Sequence, residues 1–477
     1  MVRTEVKTVR RWWVLAVVCM AMFMGVLDST SVYAALPAIA RDLGFAPAEV
    51  QWVITAYGAA IGGLLLLGGR LADRLGRRMV FMVAVAVFAA ASLACGLAAT
   101  SELLIAARVL QGAGAAVMTP AGLSILMNAF PNGRERHRAL GIWGGLGGTG
   151  ASAGLLLGGV LTDWVGWAWV FYTNVPVCLM VLVLCPILLP EGPRNNQRLD
   201  LPGSIVATSA LVLLLLGLFR ITEHGVDLPA AVFGTGAAIA AVLFVVVEQR
   251  SPAPLVPMRI FAGRTLVGGN LVIVIAGVSV DGLLIVVTLY AQQVLGFSAL
   301  QFGLTMAIMT VTSVIGVLVG QHLVTRSGFR KVAGAGMALL SVACVLLARL
   351  RPEGGLVEDL LGGLVIFGAG MGAAFVAGQI AALADVAEHD AGLAAGLEET
   401  SFALGTTIGA ALASAAAIGY ATRASAIEAP VVALTEGIQF ALTVLAGVAA
   451  LGALLAVLLL RPQQEQSTET GERMWTS

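Results

Sequence analysis

Charge is what this sequence has least of. Only 11% of its 477 residues are Asp, Glu, Lys or Arg, against roughly a quarter in an ordinary soluble domain. Lys+Arg and Asp+Glu balance at 27 each, so there is no basic face to attract a nucleic acid, and no such partner is expected. Lysine is scarcest of all: Lys7 and Lys331 stand beside 25 arginines, a compositional bias typical of high-GC genes. The five cysteines (Cys19, Cys95, Cys178, Cys185, Cys344) all lie within apolar blocks, which argues against a disulfide framework or a metal site. No Gly-x-x-x-x-Gly-Lys loop is present to cradle a nucleotide phosphate, so ATP drive is not expected. No His pair with metal spacing and no nucleophile with a nearby base is found, so the chain does not read as an enzyme and no cofactor or metal is expected.

Apolar residues are what it has most of, at 59%, with a mean hydropathy of +0.95. They fall in long blocks that do not alternate with period two, which excludes a membrane β-barrel and leaves helices. A helix needs about 20 mostly apolar residues to cross the hydrocarbon core. Fourteen blocks qualify: 13–36, 52–71, 79–98, 103–127, 139–161, 168–189, 203–221, 229–247, 266–290, 302–322, 332–350, 358–382, 395–420 and 438–460. The first runs well past the apolar core of a signal peptide and is expected to be retained, with Leu36-Pro37 at its end. The chain thus reads as an all-α membrane protein with lipid as its surroundings.

Arginine sets the orientation, because loops on the cytoplasmic side accumulate basic residues. With the N-terminus inside, 21 of the 27 basic residues fall on the inside and only Arg41, Arg349, Arg351 and Arg423 on the outside. Both termini are therefore expected in the cytoplasm, and 461–477 is expected to be a disordered tail.

The chain also repeats itself. Leu43-Gly44-Phe45 returns as Leu295-Gly296-Phe297, and Arg74, Gly76 and Arg78 return as Arg326, Gly328 and Arg330, all at an offset of 252. Two places sharing one offset mark a duplication that restarts at the ninth block. The expected organisation is a short cytoplasmic N-terminus (1–12), a six-helix bundle (13–190), two inserted helices with linkers (191–265), a second six-helix bundle (266–460) and the tail. Parallel six-span repeats are the build of transporters that rock about a midplane site.

Ionisable residues inside spans are expensive and by default functional. Asp28 lies about 12 Å below the outer end of the first block, and Arg108 roughly 9 Å below the same surface in the fourth. The matching depths predict an ion pair, either structural or proton-responsive with Arg108 tuning the carboxylate. Asp281 sits near the repeat position of Asp28, without an identifiable basic partner, which suits proton carriage or a cationic substrate. Glu398 and Glu399 open the thirteenth block about 100° apart on the helix, so one is expected toward a central cavity and the other nearer the interface. Asp163, Asp385, Glu388, Asp390 and His322 read as interfacial or solvated groups, and Trp164, Trp167 and Trp169 as a belt at the membrane surface.

The loop Gly69-Arg70-Leu71-Ala72-Asp73-Arg74-Leu75-Gly76-Arg77-Arg78 places a lone carboxylate amid arginines, where it suits a latch against an Arg or a helix N-terminus. The fifth block is dense in glycine, including Gly141, Gly150, Gly154, Gly158 and Gly159, and small faces let helices pack closely in lipid. The first stretch resembles, almost letter for letter, the signature loop of the major facilitator superfamily. The second resembles the antiporter signature of drug exporters in that superfamily, with Leu155 where the family has Pro. The second half has Thr325 in place of Asp73 and matches mainly through the repeat and Gly396-Leu397-Glu398-Glu399-Thr400-Ser401. Together they resemble the fourteen-span drug:proton antiporter branch. The resemblance implies efflux of small hydrophobic or cationic drugs or antibiotics across the inner membrane, with protons as the driving partner. Other readings are export of a metabolite, peptide or siderophore, or a transport-inactive sensor or scaffold.

Overall fold

The computed structural model describes residues 2–46, 49–130, 134–189, 201–224, 227–251, 254, 258–384, 386, 391–425 and 429–460. Among these residues the chain is all-helical. Its α-helices are α1 (Val2–Leu43), α2 (Trp52–Leu75), α3 (Arg77–Gly96), α4 (Ser101–Ala129), α5 (Arg134–Trp164), α6 (Ala168–Tyr172), α7 (Asn174–Leu188), α8 (Leu201–His224), α9 (Leu228–Arg250), α10 (Arg264–Leu289), α11 (Ala299–Ser327), α12 (Phe329–Leu347), α13 (Gly362–Ala384), α14 (Ala391–Ala424) and α15 (Pro430–Leu459). Among the described residues, eleven stretches are long and apolar enough to cross a membrane. The expected second, fifth and seventh blocks are helices as well, with shorter described apolar stretches at Trp52–Leu65, Ala153–Trp164 and Ile205–Gly217. The expected sixth block is two helices, α6 and α7, interrupted at Thr173.

Pro37 does not end the first helix as expected: α1 continues to Leu43. Lipid offers no partner for a freed N–H or C=O, so an apolar chain keeps its helical bonds wherever it can and tolerates the one that proline removes. Residues 461–477, Arg194, Arg198, Asp385, Glu388 and Asp390 lie outside the described residues, as do the surroundings of Asp73 and Gly141.

α1–α7 pack among themselves, as do α10–α15, and the α8–α9 hairpin leans on both groups through α8 against α2 and α14. The groups meet along two seams, α5 with α11 and α2 with α14. Glycine makes both possible. A Cβ on Gly303 would lie 2.6 Å from the Leu155 carbonyl oxygen, and one on Gly62 would lie 3.1 Å from Leu404. Thr208 of α8 donates to the Gly63 carbonyl at 3.1 Å, while Leu211 and Leu215 cover Ala59 of α2 and Ala411 of α14.

The end of the bundle that carries the turns at Gly44, Gly166 and Gly296, each at positive φ, is here called the turn end. There one continuous apolar core joins the two groups, running from Tyr33, Leu104 and Leu155 to Ile285, Tyr290 and Phe302. Toward the other end each group keeps its own core: the first group's runs from Val14 to Leu189, and the joined core continues there only in the second group, through Val324, Phe329 and Leu460, with Leu266, Ala394 and Leu397 clustered apart. The molecule is thus closed at the turn end and divided at the other.

Candidate functional site

Asp28 and Arg108 meet as their depths predict. Both are 0% exposed, and Arg108 Nη1 donates to Asp28 Oδ2 at 2.6 Å. The pair does not stand alone. Gln111 Nε2 and Asn174 Nδ2 donate to Asp28 Oδ1 at 2.8 and 2.6 Å. Arg108 also donates through Nε to the Val53 carbonyl at 2.7 Å and through Nη1 to Gln111 Oε1 at 2.7 Å. Ser92 accepts from Gln111 at 2.8 Å. The guanidinium carbon lies 4.1 Å above the Tyr57 ring, a favourable position for a cation in a dry site. Five helices, α1, α2, α3, α4 and α7, thus close a polar cluster in which both carboxylate oxygens are held. A charge buried in lipid needs this density of partners, because each unmet group forfeits its hydration.

Gln111, Asn174, Ser92 and Tyr57 were not singled out from sequence. Gln111 stands three residues after Arg108 and therefore on the same helix face, a signal that could have found it. Asn174 is placed by the interruption at Thr173, which no spacing announces.

Asp281 of α10 lies elsewhere, where the two groups meet. It is partly accessible yet surrounded by protein, as expected of a side chain lining an internal space. The Tyr33 hydroxyl of α1 lies against it across the seam, without a hydrogen bond of good geometry. Arg108 is committed to Asp28, and among the described residues Asp281 has no ion-pair partner. About three turns further along the chain, Gln292 Nε2 donates across the groups to the Ala34 carbonyl at 3.3 Å.

Glu398 and Glu399 differ in their surroundings, and the expected interfacial place of one of them is not seen, because Glu398 is buried against α13. Glu398 is 5% exposed and accepts a hydrogen bond from Gln379 Nε2 at 3.5 Å. Glu399 is accessible although protein surrounds it. Phe402, three residues on and on the same face, packs edge-on against Phe375 of α13 with ring centroids 5.3 Å apart. Neighbouring Ser401 donates to Asn270 Oδ1 of α10 at 2.9 Å.

In the expected gating loop, Gly76 joins α2 to α3 at φ 100°, a conformation that favours glycine. Gly69 faces Pro120 of α4, where an added Cβ would be 3.6 Å from its Cβ. Arg74 is exposed, Arg77 opens α3, and Arg78 donates to the Leu189 carbonyl at 3.1 Å. The glycines of α5 are packing surfaces. A Cβ on Gly154 would lie 2.6 Å from the Leu27 carbonyl oxygen, and one on Gly158 2.7 Å from the Ser31 Cα, both on α1. Gly150 faces Val26 on the same helix, and Gly159 faces Ala299 and Leu300 across the seam. Of the tryptophans, Trp164 and Trp169 are exposed, whereas Trp167 is buried and donates to Asp42 Oδ2 at 2.8 Å.

The sequence pattern of the Major Facilitator Superfamily matches residues 18–269 and again 269–476. The chain belongs to the major facilitator superfamily. Across 97% of its length it is 36% identical to the puromycin resistance protein of Streptomyces alboniger, covering 94% of that protein. Over 83% of both chains it is 40% identical to the cephamycin export protein of Amycolatopsis lactamdurans. Among solved structures, a bacterial homologue of the human lysosomal transporter Spinster, inward-facing and unoccupied, superposes with a TM-score of 0.67 at 17% identity, over 95% of this chain and 97% of that one. At that identity the likeness is one of fold, and the fold is that of a superfamily transporter.

Proposed function

We propose that this transporter exports small-molecule antibiotics or related drugs from the cytoplasm, driven by protons, through fourteen spans with both termini inside. Its superfamily relatives include proteins named for puromycin resistance and cephamycin export, which supports a small-molecule cargo. The 21-to-4 arginine and lysine bias supports the orientation. On that orientation the turn end is outside, and the molecule is open toward the cytoplasm, ready to load cargo.

The observation that carries the coupling is the difference between its carboxylates. Asp28 is sealed, with Arg108, Gln111 and Asn174 holding both oxygens, so it holds the first helix group in shape. Asp281 lines the internal space, with Tyr33 of the opposite group beside it. Glu399 opens onto the same kind of internal surface beside Phe402. A carboxylate that water or cargo can reach is able to exchange a proton for a cation. In this reading Asp281 and Glu399 alternate between proton and cargo, while Asp28 and Arg108 transmit the change through α1 and α4. The Gly69–Arg77 loop gates the inner side, and Gly141, Gly150, Gly154, Gly158 and Gly159 let α5 slide closely against its neighbours.

The test is substrate-induced proton release from purified protein, with puromycin and ethidium as probes, beside uptake into everted vesicles. Wild type should release protons on binding, and Asp281→Asn should abolish that release while still folding. Release that persists undiminished when Asp281 and Glu399 are both neutralised would sink this assignment.

A further inference from the structure

An α-helix begins with N–H groups that no carbonyl of its own can reach. In α11 the first intrahelical donor is Phe302, bonded to the Ser298 carbonyl at 2.9 Å, which leaves Ala299, Leu300 and Gln301 to be served otherwise. Ser298 takes the third: its hydroxyl accepts from Gln301 N at 3.2 Å, and the Gln301 side chain returns the bond in a capping box. The other two are served from the opposite helix group. Ala299 N donates to Asp163 Oδ1 at 3.2 Å and Leu300 N to Asp163 Oδ2 at 3.0 Å. The cap of α11 is complete only while α5 is docked against it.

The contact sits at the turn end, on one of the two seams along which the groups meet. Beneath it the backbones touch. A Cβ on Gly159 would lie 2.8 Å from Leu300 Cα, and one on Gly303 2.6 Å from the Leu155 carbonyl oxygen. A carboxylate on a helix N-terminus is favourable and falls off within a turn, so the contact is made or lost as a unit when the seam opens.

We propose that Asp163 is the latch of the outer gate. Its docking on α11 holds the outside closed while cargo loads, and its release accompanies the outward-open state. The inference rests on the orientation argued above. Asp163 acts here through the position of α11 and needs no contact with cargo.

The experiment is a distance measurement, so it stands apart from any failure of the export reading. Spin labels at Ala99→Cys and Glu353→Cys mark exposed turn-end positions on the two groups. In the full chain reconstituted at fixed pH, Asp163→Asn should enlarge the long-distance, outward-open population about two- to five-fold, the effect of losing an exposed carboxylate–helix contact. Gly159→Ala, which wedges the same seam by bulk instead of charge, should move it the same way. Glu102→Gln, another exposed carboxylate at this end, should leave it unchanged. Asp163 is itself exposed, so its loss leaves no buried charge to unfold the protein. A wild-type distribution in Asp163→Asn overturns the latch, whether or not Gly159→Ala shifts. An equal shift in Glu102→Gln overturns it too, as a general effect of surface charge.

Discussion

Neutralising Asp28 and Arg108 one at a time and then together tests the buried cluster directly. Asp28→Asn removes the carboxylate that meets Arg108 at 2.6 Å. It also turns an amide NH2 toward either Arg108 or the donors Gln111 and Asn174, which have no spare acceptor on Asp28. A buried pair broken on one side loses about 3–5 kcal/mol, most of it the stranded charge. Arg108→Gln strands Asp28 instead, although Gln111 and Asn174 still reach one of its oxygens. Its loss should fall at the lower end of that range, roughly 3 kcal/mol. The double variant strands no charge, so it should recover a coupling energy of about 2–3 kcal/mol. The assay is unfolding in mixed micelles of rising SDS content, with all four proteins compared in one lipid composition. Losses that add within about 0.5 kcal/mol would refute the cluster as a coupled unit, and with it the assignment of Asp28 to structure.

Three further outcomes follow from neighbouring geometry. Arg108→Lys keeps the charge but loses the planar fork that reaches Asp28, Gln111 and Val53 together and stacks on Tyr57; stability in the same assay should fall by about 1–3 kcal/mol. Asp281→Asn, with no charged partner to strand, should stay within about 1 kcal/mol of wild type while drug efflux from cells collapses. Gly154→Val should sharply reduce the monodisperse fraction after detergent extraction, because Leu27 leaves no room for a Cβ, whereas Gly447→Val, with open space around it, should not.

Much of this architecture was legible as sequence because lipid imposes long apolar blocks and makes each interior charge conspicuous. Depth arithmetic alone brought Asp28 to Arg108. It could not supply Asn174, since 146 residues separate it from Asp28 and its placement depends on an interruption in the sixth block. Helical geometry divided Glu398 from Glu399 without saying which would be buried; that depended on Gln379 of α13. Asp163 read as an interfacial residue because it is one; its second role depends on where α11 begins in the other group. Tyr33 carried no signal, since its meeting with Asp281 is made by docking two helix groups. Pro37 misled for a physical reason, the reluctance of a chain in hydrocarbon to surrender helical bonds.

Among the described residues, four of the five positive-φ glycines form two pairs at the repeat offset: Gly44 and Gly296 at 67° and 69°, Gly76 and Gly328 at 100° and 80°. The ancestral duplication is thus written in backbone handedness at its corners, even where side chains have drifted. At one such corner the drift has a direction: Asp73 precedes Gly76, while Thr325 stands at the equivalent place before Gly328. The two joints bend alike, but only one bears a carboxylate. A machine copied from one template has acquired a left and a right, and swapping its halves would not return the same machine.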